Sequence, residues 1–433
     1  IKIDVVEDTL YVQSYVKYIK NLNSFEFTIN TTLGSGSSFN LPLRSGYNYD
    51  MLVDWGDGNT STITSFDDVN KTHTYATGGE YQVKITGICE YFAFNNDGDK
   101  LKLIKLNSFN GDCGFKVLNF YGCTNLAGGI PKSFTNLHKL ETAESLFCNC
   151  FNLTGEIPED MFWNSKDIIS CSFSFASSID DEPIKLTGSI PEKLFANNPL
   201  VTTFQSTFRS CTNLSGNIPE KLFANNPLVT TFQHTFYQCT NLDGSIPEKL
   251  FANNPLVTTF YSTFGSCTNL TGSIPEKLFW NNPLVTTFYF IFGSTSSYGN
   301  MKLSGIIPEK LFWNNPLVID FGCAFQLCTN LTGSIPEKLF ANNPLVTNFK
   351  YIFNKCSGLT GNIPEKLFAN NPLVTDFGYT FTLCSGLTGR GWEDIITNAE
   401  QNAIDGGFTL SKTQCFRNCT SLTDYGQIPA AWR

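Results

Sequence analysis

The segment IPEKLFANNPLVTTF begins at Ile190 and returns almost letter for letter at Ile218, Ile246 and Ile274. Near-identical units must adopt near-identical conformations, so the repeat restricts the fold more than any other feature. A unit of 28 residues cannot bury its own apolar side, and successive units must therefore stack. The leucine of "NLTG", or its equivalent, marks the phase. It falls at Leu126, Leu153, Leu186, Leu214, Leu242, Leu270, Leu303, Leu331, Leu359, Leu387 and Leu422. The steps are 27, 33, 28, 28, 28, 33, 28, 28, 28 and 35, which predicts about ten coils. The two steps of 33 carry "SSIDDEPIK" and "TSSYGNMK", expected to be loops bulging from one face.

Within a unit, "GSIPEKLFANNP" places Pro191 at a first helical position, where its fixed φ fits and its missing N–H costs nothing. Leu194 and Phe195 form an apolar side before Asn197, Asn198 and Pro199 end the turn. "LVTTFQSTF" is β-branched and aromatic and reads as a short strand. Phe204, Phe208, Cys211 and Leu214 form the repeated core. This predicts a mainly β fold with short helices, a leucine-rich-repeat-like parallel β-solenoid over residues 101–433. An atypical C-terminal helix and cap follow from about residue 390, the helix from Trp392. The "EK" of each unit, such as Glu192 and Lys193, is expected to form solvated charged rows.

Composition agrees with a repeated aromatic core, with 39 Phe against 3 Met. At 41% hydrophobic and 15% charged the chain is too apolar to be disordered. A net charge of −9 without a basic run excludes nucleic acid as an expected partner. No apolar run reaches the roughly 18 residues of a membrane span, and no signal peptide is recognised. Beginning at Ile1, the chain is read as a processed secreted form or a trimmed one. Six of the 15 Cys recur at the repeat spacing, which predicts a ladder of buried thiols. Cys148/Cys171 and Cys415/Cys419 remain alternatives for bridges.

Residues 1–100 lack the period. "FEFTI", "YDMLVDWGDG", "KTHTY" and "EYQVKITG" are short alternating segments between turns and predict a small antiparallel β-sandwich with its core at about 22–90. "LKLIKLNSF" from Leu101 is expected to open the solenoid as a capping strand.

"VTTFQSTFRSC" from Val201 resembles the "VTxMxxMFxxC" core of BspA-like leucine-rich-repeat surface proteins, with Val201, Phe204, Phe208 and Cys211 on the matching places. "LTGSIPEKLF" is more similar to plant-type leucine-rich repeats with their "LxGxIP". "DWGDG" at Asp54–Gly58, with "HTY" at His73–Tyr75 and "GEYQVKI", resembles an immunoglobulin-like PKD domain. Together the two resemblances imply an extracellular, cell-surface or virion-surface protein that attaches to a protein or glycan ligand on a host or neighbouring cell. The alternative is a self-assembling structural subunit of a filament, surface layer or phage tail fibre.

No catalytic constellation is found. His73, His138 and His234 have no partners at metal spacing, and no GxSxG or phosphate loop occurs. Asp54 and Asp57 could hold calcium, but capping their own turn is the preferred role. No enzyme activity, metal or cofactor is expected. Eight Asn-x-Ser/Thr sequons occur, several of them products of the "NLT" repeat.

What varies between units is a set of positions around the second core Phe. The residue after Phe204 and its equivalents reads Gln205, Gln233, Tyr261, Tyr289, Gly322, Lys350 and Gly378. The next reads Ser206, His234, Ser262, Phe290, Cys323, Tyr351 and Tyr379. After the second Phe come Arg209, Tyr237, Gly265, Gly293, Gln326, Asn354 and Thr382. Tyr237, Tyr261, Tyr289, Tyr351 and Tyr379, with Arg209 and Lys350, are the candidate binding residues, expected to line a track roughly 30 Å long at about 4.8 Å per unit. Drift on a solvated face is the competing reading.

Overall fold

The computed structural model describes residues 23–179 and 182–433. Residues 1–22 of the expected N-terminal domain, and Asp180 and Asp181 of the first insertion, lie outside the described residues.

The regular structure is mainly β, with one α-helix among the described residues. Near the N-terminus lie β1 (Ser24–Asn30), β2 (Ser38–Asn40), β3 (Tyr49–Asp54), β4 (Thr60–Ile63), β5 (Thr72–Thr74), β6 (Glu80–Cys89), β7 (Tyr91–Ala93), β8 (Leu103–Asn110) and β9 (Val117–Asn119). Five of them form a sheet in the order β4-β3-β6-β1-β8, with antiparallel neighbours throughout. β2 pairs antiparallel with β5. Alternation fixes the inward set: along β3, Tyr49, Met51 and Val53 are buried while Asp50, Leu52 and Asp54 are exposed.

β8, expected to open the repeat, instead joins the antiparallel sheet beside β1, where Phe109 stacks on Phe25 at 4.7 Å. It serves the repeat as well, since Ile104 O accepts from Ala127 N at 2.9 Å. Its apolar residues thus finish one element and start the next. A single buried cluster runs from Phe25 to Trp432.

From Thr142 onward, consecutive units meet mostly through single parallel backbone bridges, among them Ser170↔Thr203↔Thr231↔Thr259↔Thr287, with short parallel pairs of Thr154–Glu156 with Lys185–Thr187 and Gly361–Asn362 with Leu387–Thr388. The expected strand over "LVTTFQSTF" shrinks to that bridge, and turns take over. Thr207 N, Arg209 N and Cys211 N reach back three residues to Phe204 O, Ser206 O and Phe208 O at 3.1–3.2 Å. The intervening N–H groups of Phe204, Ser206, Phe208 and Ser210 donate to Thr231 O, Gln233 O, Thr235 O and Tyr237 O of the next unit at 2.8–3.2 Å. The reason is packing. An extended strand would hold Phe204 and Phe208 roughly 13 Å apart, whereas the turns let both enter one narrow core. "IPEKLFANNP" behaves likewise. Leu194 N, Ala196 N and Asn198 N bond back three residues, to Pro191 O, Lys193 O and Phe195 O, so the expected short helix is a staircase of turns.

Three files of phenylalanine result. Phe195 stacks on Phe223 at 6.2 Å, Phe204 on Phe232 at 5.8 Å and Phe208 on Phe236 at 5.7 Å, with interplanar angles of 13°, 8° and 4°. The second Asn of each "NNP" forms a further file. Asn226 and Asn254 are fully buried, and Asn254 Nδ2 donates to Phe223 O at 3.2 Å and Asn226 O at 2.9 Å of the preceding unit. Expected to turn the chain, this residue also ties unit to unit. The phase-marking leucines are all buried. Glu192 and Lys193 are exposed; Lys193 meets Glu159 at 3.5 Å with both side chains more than half exposed, a pair of little energetic weight.

All fifteen cysteines are free thiols and buried, including Cys148, Cys171, Cys415 and Cys419. Cys211, Cys239 and Cys267 donate to the Phe carbonyls of the preceding unit at 2.9–3.0 Å. Burial pushes the Cys148 and Cys419 thiols up to about 12 and Cys323 to about 11, so thiolate is scarce at neutral pH. Disulfide-exchange titration at pH 8 is therefore expected to detect almost no thiol in the native protein and all 15 in guanidinium. Rapid reaction of several native thiols would contradict the buried ladder.

At the C-terminal side, α1 (Trp392–Gly406) takes the place of the turn staircase. Its end is set by Gly407 at φ 64°, a left-handed position that glycine adopts at least cost. Trp432 packs at 6.2 Å from Phe377 and 6.1 Å from Phe416, and its carbonyl accepts from Phe416 N at 2.8 Å. No helix among the described residues is long and apolar enough to cross a membrane.

Candidate ligand-binding surface

The turn staircase determines where the variable residues sit. For N–H groups to point alternately back and toward the next unit, every second-column residue adopts a left-handed backbone. The φ values are 54° at Ser206, 55° at His234, 53° at Ser262, 55° at Phe290, 58° at Cys323, 58° at Tyr351 and 60° at Tyr379. The bridge residue just before Phe caps this bend. Thr203 Oγ1 accepts from Gln205 N at 3.1 Å, and Asp320 Oδ1 accepts from Gly322 N at 2.8 Å.

The seven predicted residues fall into two groups rather than one continuous row. In the first, the Arg209 guanidinium lies 5.6 Å from the Tyr237 ring centre. His234 sits edge-on to both Tyr237 and Tyr261 at 5.1 Å, and Tyr261 stacks on Tyr289 at 4.9 Å and 14°. In the second, Tyr351 stacks on Tyr379 at 4.5 Å and 6°, Lys350 Nζ lies 5.8 Å from the Tyr351 ring, and the same ammonium is 3.7 Å from Asp376 Oδ2. The unit carrying Gly322 and Cys323 separates them. Each of the seven is partly buried. Burial, helped by neighbouring acidic groups, pushes the Tyr261, Tyr289 and Tyr351 hydroxyls above their ordinary range, so they remain protonated donors at neutral pH.

The glycines of these columns make room for the rings. A Cβ on Gly265 would stand 2.7 Å from Phe290 Cδ1 and 3.0 Å from Tyr237 Cδ2; one on Gly322 would stand 2.9 Å from Tyr289 Cδ2. Small and large residues in adjacent units are therefore matched, which random drift does not require. Sequence reasoning placed Phe290 and His234 in the columns without counting them as site residues. It did not find Asp376, which faces Lys350. The two insertions border the third column: Asn149 Oδ1 accepts from Ser178 N at 2.8 Å, and Gln238 Nε2 donates to the Tyr298 hydroxyl.

In the N-terminal sheet, Asp54 and Asp57 cap their own turn, accepting from Gly56 N at 2.9 Å and Asn59 N at 3.0 Å. Asp57 Oδ2 meets His73 Nε2 at 2.7 Å. Burial works against the Asp57 carboxylate, but hydrogen bonds from His73 and Asn59 outweigh it and hold the group below its usual range. His138 is exposed. Among the described residues no group of three or more His, Cys, Asp or Glu is placed to hold a metal.

No protein-family model matches the chain. No curated protein matches it in sequence. Among solved structures, similarity is found to the Arabidopsis receptor kinase HAESA in complex with the peptide hormone IDA and the co-receptor SERK1, at 20% identity and a TM-score of 0.29. It is found also to the HAESA leucine-rich-repeat ectodomain with an N-terminally extended IDA peptide, at 20% identity and a TM-score of 0.32. Each match covers 65% of this chain and 52% of the other, so this chain spans about half the length of those proteins. Likeness at this level carries no argument about what this chain binds.

Proposed function

We propose that the chain is a non-catalytic binding protein that engages a protein ligand through the two ring-bearing groups of the variable track. In this reading residues 101–433 form a parallel, leucine-rich-repeat-type solenoid of BspA-like kind, residues 1–100 a PKD-like sandwich, and the protein works at a cell surface. The observation that carries the binding role is the filling of partly exposed, left-handed positions by Tyr351 and Tyr379, where other units hold Ser206 or Ser262. A non-glycine residue there costs about 1 kcal/mol, and bulky rings are among the rarest occupants. The left-handed backbone itself belongs to the turn staircase and recurs at Ser206, Ser262 and Cys323; it is the choice of bulky rings where serine fits that favours use over folding. Stacked tyrosines and cation-bearing neighbours supply contact area with few rotamers left to freeze, the composition that dominates protein interfaces.

The test is a binding screen of the purified chain against extracellular matrix proteins, with light scattering to detect self-association. The double variants Tyr261→Ala/Tyr289→Ala and Tyr351→Ala/Tyr379→Ala are compared with the parent. At least one of the two is expected to weaken the recovered interaction about tenfold or more. Equal binding of every partner by parent and both variants would dismiss the track as the site.

A further inference from the structure

A broad, open concavity is made by the repeated letters, and none of the track residues lines it. It encloses about 1220 Å³ along the "FANNP" corner, with Ala196, Ala224 and Ala252 lying in sequence before Trp280 and the exposed Asn and Pro of each unit alongside. The residue after the first core Phe of each unit is Trp at 163, 280 and 313 but Ala at 196, 224, 252, 341 and 369. Three small residues in a row precede Trp280, which stands within the trough, since Asn314, Pro316 and Asn342 of later units line it too; Trp163 lies outside the lining, one unit before Ala196. These rings are 38% and 43% exposed. From one to the other spans four units, or about 19 Å at the strand spacing.

The chemistry of the trough is uniform. All fifteen lining residues are Ala, Asn, Pro or Trp, and none is charged. Asn225 Nδ2 donates to Ala196 O at 2.8 Å, and Asn253 Nδ2 to Ala224 O at 2.9 Å, which fixes each amide on the preceding unit. One N–H and the Oδ1 of each remain for an outside partner. The same donor and acceptor thus recur once per unit beside apolar carbon and flat rings.

We infer that this trough binds an uncharged, extended oligosaccharide. Sugar rings carry apolar C–H faces that pack on indole and alanine. Their hydroxyls both donate and accept, matching an amide that offers both. A repeating polymer meets a repeating wall, and a neutral wall gives no counter-charge to uronates or phosphates. A proline-rich peptide also suits aromatic grooves, but its free carbonyls would leave the Oδ1 atoms without donors. The inference is independent of the protein-binding reading of the track.

The full chain is titrated by calorimetry and tryptophan fluorescence with hexasaccharides of β-1,4-glucose, β-1,3-glucose, β-1,4-mannose and β-1,4-N-acetylglucosamine. An oligogalacturonate and a proline-rich decapeptide are titrated alongside. Two variants are compared: Trp280→Ala removes the ring within the trough, and Ala224→Trp fills the floor with the residue that the same register already holds at 163, 280 and 313. At least one neutral hexasaccharide is expected to bind, about tenfold or more weakly in both variants, and unchanged in Tyr261→Ala/Tyr289→Ala. The inference is overturned if no neutral sugar saturates, if only the uronate or the peptide binds, if Ala224→Trp binds like the parent, or if the tyrosine variant alone loses the sugar.

Discussion

Asn254→Ala is expected to destabilise the protein by about 2–3 kcal/mol, whereas Asn253→Ala, one residue earlier, costs under about 1 kcal/mol. The two side chains have the same chemistry and different surroundings. Asn254 is fully buried and gives Phe223 O and Asn226 O each a second hydrogen bond, beside those from Asn226 N and Val229 N at 3.3 Å. Removing it loses two buried hydrogen bonds, leaves each carbonyl with its one long backbone bond and opens a small cavity besides. Asn253 is exposed and donates once, to Ala224 O, where water can replace it. Asn254→Asp should be worse than alanine at neutral pH, since a carboxylate would face two carbonyl oxygens, and it should recover partly in acid as the group takes up a proton. Guanidinium unfolding followed by circular dichroism checks the order. Equal midpoints for the 253 and 254 alanine variants would mean that the buried file does not tie the units.

The second large effect concerns the matched glycines. Gly265→Ala should cost about 1–3 kcal/mol by overpacking, because the new methyl would sit 2.7 Å from the Phe290 ring. In a Phe290→Ser background, which places there the residue found at Ser206 and Ser262, that penalty should shrink to what the 3.0 Å contact with Tyr237 Cδ2 leaves. Gly293→Ala should cost at least as much and resist the same rescue, because its Cβ would lie 2.4 Å from the backbone oxygen of Cys323. A double-mutant cycle reads the difference directly. If Phe290→Ser rescues both glycines equally, or neither, the rings and glycines are not matched in the way the geometry requires.

These two regions show what the sequence could and could not reveal. Spacing alone identified the repeat, the buried leucines, the thiol ladder and the helix from Trp392, because each depends on which residue recurs and how far away. The local backbone was harder. "LVTTF" has the composition of a strand, but two phenylalanines four apart had to enter one core, and packing overrode propensity. The track residues were visible as variation between units. Their division into two groups was not, because Gly322 and Cys323 look like two more variable letters until the rings are placed. The trough was overlooked for the opposite reason. It lies in the segment that repeats, which reads as scaffold, and its one sequence signal is the exchange of "LFANNP" for "LFWNNP" at Trp280 and Trp313.

The near-identity of neighbouring units also bears on how such a chain changes over generations. The units starting at Ile190, Ile218 and Ile246 share their first fifteen residues, IPEKLFANNPLVTTF, and join through the same backbone bonds. Unequal recombination could delete or duplicate one of them without leaving a scar at the junction. The distance between Trp163 and Trp280 would then lengthen or shorten by a whole unit while both ends of the stack stayed as they are. The span is thus an inherited gauge with fixed graduations, adjustable in number and not in size.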